Sequence, residues 1–313
     1  MDRISLDERY VDLGVKCIDQ NDPSKALRYL NRAISLNSGS NLAYYNRGIV
    51  YDMLERPDEA LADYDRALAI VPNHLAALHN RGIVLTELGR AKEAIDCFDQ
   101  VLRYSPDNDD VIYNRGVALA ELGRLAEAND HYDRAIRQAP WKIDARIAKG
   151  NTLLEAGRLE DARIVADEIL EIEPTSVDAH TIKGLSHLDS QQPDKALVAL
   201  SHALESAPDD HVALLHRGIA HLQLNQNNDS VRDLVRSLKN HPDCDEAFYH
   251  LAVVYVRLGD REAALDALQK AIEINPPRRA DAQTAIEFVP LRAEPRFPAV
   301  LARPRKRLDV NRT

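Results

Sequence analysis

The chain has 313 residues, 45% apolar and 29% charged, with a formal net charge of −10. That balance disfavours general nucleic-acid binding, which needs a basic surface to meet phosphates. No apolar run approaches the ~18 residues of a membrane-spanning helix, and the opening MDRISLDERY lacks the apolar stretch of a secretory signal, so the sequence reads as a cytoplasmic protein.

From Asp7 onward the sequence repeats every 34 residues, in eight units without insertion: 7–40, 41–74, 75–108, 109–142, 143–176, 177–210, 211–244 and 245–278. Gly14, Gly48, Gly82, Gly116, Gly150, Gly184 and Gly218 form one ladder, with Ala252 in its next place. Pro72, Pro106, Pro140, Pro174, Pro208, Pro242 and Pro276 form a second. Ala26, Ala60, Ala94, Ala128, Ala162, Ala196, then Ser230 and Ala264, form a third. In the second unit Tyr44, Arg47, Gly48 and Tyr51 recur at helical spacing, as do Ala60, Tyr64 and Ala67, which predicts two helices per unit. Glu55-Arg56-Pro57 lies between them, and Gly89, Gly123, Gly157 and Gly259 occupy the matching turn elsewhere, where a left-handed helix end suits glycine. Pro23, Pro57 and Pro193 fall two places later, at the first turn of the second helix. Small residues such as Gly82 and Ala94 let two antiparallel helices approach closely. A lone pair of this size cannot bury its apolar face, so neighbours must stack.

At these residues the chain resembles the tetratricopeptide-repeat family. Tyr44, Gly48, Tyr51, Ala60, Tyr64, Ala67 and Pro72 stand at the family's positions 4, 8, 11, 20, 24, 27 and 32 of the second unit. The resemblance covers about seven-eighths of the chain and implies an all-α, right-handed superhelical solenoid of antiparallel helix pairs. Ser38 departs where proline is expected, and Ala166 stands at an aromatic place. Ser230 and Ser237 replace both alanines of the seventh unit, whose turn is Asn225-Gln226-Asn227-Asn228. The sixth and seventh units are therefore expected to be the softest. After Arg278, Ala280–Phe288 is predicted to form a capping helix within 279–290. Residues 291–313 form a tail with seven basic residues against Glu294 and Asp309.

No catalytic constellation, phosphate-binding loop or zinc-protease helix is present, so the chain reads as a non-enzyme with neither cofactor nor metal. Cys17, Cys97 and Cys244 are far apart and offer no disulfide framework; Cys17 sits at a packing place and reads as an inert core thiol. His187 and His221 are expected to replace the packed aromatic of position 11, and His216 and His250 to line the groove with a mild pH response. Trp141 is expected to pack across the junction of units four and five, with an exposed partner anchor as the alternative.

The resemblance implies that the first helix of each pair lines the concave face, with positions 2, 5, 6, 9, 12 and 13 as contact places. Position 5 supplies Tyr45, His79 and Tyr113, and position 6 supplies Asn46, Asn80 and Asn114. Position 9 supplies Ile49, Ile83 and Val117, which either pack beside the helix pair or grip a ligand's apolar residues. Position 13 adds Glu87 and Glu121. Asparagine amides can donate to and accept from an extended backbone. The pattern predicts a protein-interaction scaffold that binds a peptide or protein segment, basic with apolar anchors. No small-molecule substrate or membrane is implied, and nucleic acid enters only through the basic tail. The alternative is a regulatory or targeting subunit of an enzyme complex carried on another chain. The carboxylate clamp of chaperone-binding members is absent, since Leu42, Ala76 and Asp110 stand at position 2 where cations are needed. The basic run Arg296–Leu308 is an internal candidate for the groove, in its own chain or through self-association.

Overall fold

The computed structural model describes residues 5–302, which are helical with no strand. They fall into two compact units that meet in sequence between Ala156 and Gly157. The first unit holds α1 (Leu6–Asp19), α2 (Pro23–Leu36), α3 (Asn41–Met53), α4 (Pro57–Ile70), α5 (Leu75–Glu87), α6 (Ala91–Tyr104), α7 (Asp109–Glu121), α8 (Leu125–Gln138) and α9 (Ile143–Glu155). The second holds α10 (Leu159–Ile172), α11 (Val177–Asp189), α12 (Pro193–Ser206), α13 (His211–Gln223), α14 (Asn227–Asn240), α15 (Asp245–Leu258) and α16 (Arg261–Ile274). It continues through α17 (Arg278–Thr284), a 3-10 turn (Ile286–Leu291) and α18 (Phe297–Leu301).

Local chemistry sets the boundaries. Ser5 and Glu8 form a reciprocal capping box at α1, and Asp22, Asn108 and Asp210 accept first-turn amide protons at α2, α7 and α13. Several second helices have arginine at the cap instead. Arg56, Arg90, Arg124 and Arg158 each pair with an acid three residues on, spanning a first turn that favours negative charge. The turn between paired helices requires a positive φ: Gly89, Gly123, Gly157 and Gly259 lie at φ 69–81°, and Asn21, Glu55, Gln191 and Asn225 adopt 54–59° at the same place.

In repeats one to four, six and seven the core of the pair is built on the glycine ladder. The Phe98 ring lies so close to Gly82 that an added Cβ would stand 2.5 Å from Cε1, and Tyr64 stands over Gly48 in the same way at 2.6 Å. The close approach is thus between the glycine of a first helix and the large residue at position 24 of its partner, while Ala94 is fully buried alongside. The serines of the seventh repeat are buried and hydrogen-bonded: Ser230 Oγ donates to the Gly218 carbonyl at 2.7 Å and Ser237 Oγ to that of His211 at 2.8 Å.

A polar ladder escaped the sequence reading. Position 7 is a cation from the second repeat to the seventh. Arg47 forks onto Asp63 at 2.6 and 2.7 Å and reaches Asn31 of the preceding repeat at 2.6 Å. Arg81 joins Asp65 to the Cys97 sulfur, and Arg115 joins Asp99 to His131. Lys149 meets Asp133, Lys183 meets Asp167, and Arg217 forks onto Asp233. Every partner lies 16 residues before or after the cation. Asp63 and Asp233 are buried, and their charge is met by a bidentate guanidinium.

The C-terminal end departs from the single helix expected over Ala280–Phe288. α17 stops at Thr284, and Ala285 turns extended. Arg292 donates to the carbonyls of Gln283 and Ala285, which satisfies the helix end, and the chain then buries Phe288 and Leu291 through a 3-10 turn. The tail expected from residue 291 is partly folded. Phe297 and Val300 are buried, α18 packs on α16, and Arg296 pairs with Glu262 and Asp266. Residues 296–302 therefore lie on the second helix of the eighth repeat and not along a first-helix face. The remainder of the basic run, 303–308, and the rest of the tail to 313 lie outside the described residues.

Candidate functional site

In the first unit the first helices approach one another across repeats, α3 with α5 and α5 with α7, more closely than the second helices do. This makes their side the inner face of that unit, where Asn114 meets His79, Asn80 stands beside Tyr45 and Asp52 acts on Glu87. Ile49, Ile83 and Val117 are half-buried there, packed on the core of Phe98, Tyr64 and Tyr132 while leaving a flank accessible. They therefore pack beside the helix pair and still present apolar surface.

The aromatic places hold a layered wall. The Tyr45 ring lies 6.2 Å from Tyr64 and 4.7 Å from His74; His79 meets Phe98 edge-on at 6.1 Å; Tyr113 lies 6.0 Å from Tyr132. Burial raises the Tyr45 phenol above its ordinary value, and the adjacent Asn80 amide opposes the rise. The buried Tyr64 hydroxyl has no hydrogen-bond partner.

The three asparagines are not equivalent. Asn46 donates to the Leu42 carbonyl of its own helix at 2.8 Å. Asn114 Nδ2 lies 2.8 Å from His79 Nε2, and burial lowers the His79 pKa, so a neutral ring accepting at Nε2 fits the pair. Asn80, beside the Tyr45 and Tyr64 hydroxyls, is the amide placed between aromatic walls.

Glu87 and Glu121 are exposed at the mouth of this face. Burial, and then the charge of Asp52, raises the Glu87 carboxyl above the usual range; Asp52 is itself raised by burial. Two carboxylates that repel one another favour a cation between them. Asp52 was missed in the sequence because it is the one acid at position 12 among these three repeats. Lys142 pairs with Asp110 and with Asp109 and offsets their charge. Lys142 also stands 6.0 Å from the Tyr113 ring centre.

Elsewhere the structure corrects the packing expected of Trp141. Trp141 is 77% exposed and packs across no junction. His221 Nδ1 lies 2.6 Å from Gln226 Oε1, and the buried Nδ1 of His187 has no partner. In the second unit His250 stands 3.8 Å from Glu246, and burial lowers the His216 pKa with Glu246 opposing. Cys17 and Cys97 are buried thiols. Among the described residues no group of three or more His, Cys, Asp or Glu side chains is placed to hold a metal, and no helix is long and apolar enough to cross a membrane.

Three family models described as tetratricopeptide repeat match the chain, one over residues 40–107, one over 79–140, 181–229 and 215–279, and one over 119–185. No curated protein matches it. Among solved structures, yeast Tom70 is similar over 96% of this chain and 67% of that one, at 16% identity and a TM-score of 0.64. PilW, described as a widely conserved type IV pilus biogenesis factor, is similar over 67% of this chain and 98% of its own, at 20% identity and a TM-score of 0.61. These two share the fold. YrrB, described as a TPR protein with an unusual peptide-binding site, aligns over 59% of this chain and 95% of its own, at 28% identity and a TM-score of 0.49.

Proposed function

The chain belongs to the tetratricopeptide-repeat family, a class of protein-interaction scaffolds, and from that premise we propose that its first-helix face in repeats two to four binds an extended peptide segment. The segment is basic, with apolar anchors. One observation carries this reading: half-buried Ile49, Ile83 and Val117 run along the same face as the Asn80 amide and the Asp52–Glu87 carboxylates. Apolar side chains of the segment would rest on the aliphatic row between Tyr45, His79 and Tyr113. Its backbone would bond Asn80, with Asn46 and Asn114 released from their present partners. A lysine or arginine would stand between Asp52 and Glu87, with Glu121 extending the field.

The test is an array of ten-residue peptides that share a leucine spacing and differ in charge, probed with the full chain. Basic peptides should be retained over acidic ones, and the preference should fade as salt screens it. In Asn80→Ala with Ile83→Asp, retention should fall about tenfold or more while the helical spectrum persists, since a hydrogen bond of roughly 0.5–1.5 kcal/mol and an apolar contact are both lost. Equal retention of acidic peptides, or undiminished binding by the folded variant, would move the site off this face.

A further inference from the structure

The second helices of the first unit carry a charge pattern opposite to that of the whole chain. Their residues at repeat positions 26, 29 and 30 lie on one exposed side, position 26 one turn before the other two. In repeats one to four these places hold Arg32, Arg66, Arg103, Arg134 and Arg137 and no carboxylate. The same places in repeats five to eight include Glu168, Glu171, Glu205 and Glu273. Between the arginines, position 30 leaves Leu36, Ile70 and Tyr104 exposed on α2, α4 and α6, Tyr104 by 58%. Exposed Trp141 follows three residues after Gln138, in the loop beyond α8.

Neither the charge nor the apolar surface is used within the unit. Among the described residues Arg32, Arg66, Arg103 and Arg137 make no ion pair and no side-chain hydrogen bond, and Arg134 reaches only the Pro106 carbonyl, at 3.3 Å. The neighbouring acids are committed elsewhere. Asp65, Asp99 and Asp133 pair with Arg81, Arg115 and Lys149 of the following repeats. Asp107 accepts from Gln138, and Asp109 and Asp110 pair with Lys142. Asp96 and Asp130 stand one turn before position 26 on α6 and α8 and mark the edge of the strip. The helix dipole accounts for Arg103 and Arg137, which lie in the last turns of α6 and α8. It does not account for Arg32 and Arg66, which precede the last turns of α2 and α4. Arginine, tyrosine and tryptophan are the side chains that most often carry binding energy at protein interfaces.

We propose that this strip docks an acidic, extended segment of a partner protein that carries apolar anchors. Its carboxylates meet the unpaired guanidinium groups, and its anchors cover Leu36, Ile70 and Tyr104, with Trp141 at the end of the row. Packed helices stand about 10 Å apart, and an extended chain rises ~3.3 Å per residue. An acid at every third place therefore meets successive helices. The strip lies on the second helices, away from the first-helix face, and selects the opposite charge, so it does not rest on the peptide reading above.

The test uses Trp141, the one tryptophan of the chain, as its reporter. A dye-labelled, tryptophan-free peptide with aspartate at every third place and leucines between is added to the full chain, and peptide anisotropy and Trp141 emission are followed together. A saturable shift of Trp141 emission should track the anisotropy. Affinity should be at least tenfold above that of the same peptide with lysine for aspartate, and of one with serine for leucine. Arg66→Glu with Arg103→Glu, both at exposed positions, should weaken binding tenfold or more; Arg66→Gln with Arg103→Gln, which should weaken it threefold or more, replaces that pair if it does not fold. Equal affinity for either control peptide, binding that leaves Trp141 emission unchanged, or undiminished binding by a folded variant would overturn the proposal. So would tighter binding of a single-stranded oligonucleotide of matched length, which would make the arginines a phosphate-binding surface.

Discussion

The contact between Gly82 and Phe98 can be tested as a unit. An alanine at 82 would put its Cβ 2.5 Å from Cε1 and 2.8 Å from Cζ of a ring that is fully buried and cannot swing aside. Overpacking of this kind costs about 1–3 kcal/mol. Better helix propensity returns roughly 1 kcal/mol. Because the ring is enclosed, the upper part of the range applies, and Gly82→Ala should destabilise by about 2 kcal/mol. The eighth repeat shows a compatible alternative: Ala252 and Leu268 are both fully buried at the equivalent positions. Phe98→Leu alone should cost roughly 1 kcal/mol through lost volume. Together, Gly82→Ala and Phe98→Leu recreate the eighth repeat's pair and should cost at least about 1 kcal/mol less than their sum. The assay is urea unfolding combined with hydrogen exchange of α5 and α6 amides, since repeat arrays need not unfold in one step. A neutral Gly82→Ala, or strictly additive losses, would refute this account of the glycine ladder.

Arg47→Leu leaves the Asp63 carboxylate buried without its bidentate partner, and should cost about 3 kcal/mol or more in urea melts; Arg47→Leu with Asp63→Leu should recover much of it. Gln191 holds a left-handed turn at φ 56°, where other repeats use glycine with open space around the missing Cβ. Gln191→Gly should therefore raise stability by about 0.5 kcal/mol, the relief of a 1–2 kcal/mol strain less the entropy cost of glycine. Burial, then Arg115 and Arg134, pushes the His131 pKa down to about 4 from an unfolded value near 6.5. The unfolded chain thus takes up this proton first, so stability should fall as pH drops from about 6.5 towards 4. His131→Gln should flatten that part of the profile in urea midpoints measured across the window.

The fold was legible because its signals are periodic. Glycine, alanine and proline ladders share one phase, and a helix pair needs all three to close. Side-chain commitments were not legible. Asn46, Asn80 and Asn114 occupy one repeat position, yet Asn46 bonds a carbonyl of its own helix and Asn114 an imidazole 35 residues away, while Asn80 stands beside the Tyr45 and Tyr64 hydroxyls. The position-7 cation ladder was not legible because its partners alternate between two helices. Asp63 and Asp233 follow their arginines, whereas Asp65, Asp99, Asp133 and Asp167 precede their cations. The break at Ala285 depends on Arg292, seven residues on, whose reach a propensity argument does not register. Trp141 sits in the turn between units four and five, and of the two readings its place allowed, packing or exposure, the structure takes the exposed one.

The cation ladder also bears on how such a chain changes length. Each rung is complete within 16 residues on either side of its cation, a window narrower than the stretch over which the pattern recurs. Excising 75–108 as a block would bring Arg115 to the spacing from Asp65 that Arg81 now has, and the rung would re-form with new members. Removing any other number of residues there would strand an arginine and an aspartate on opposite sides of a junction. Duplication and loss by whole modules are thus electrostatically silent, while partial events expose unpaired charge, so the array can lengthen or shorten only in steps of its own period.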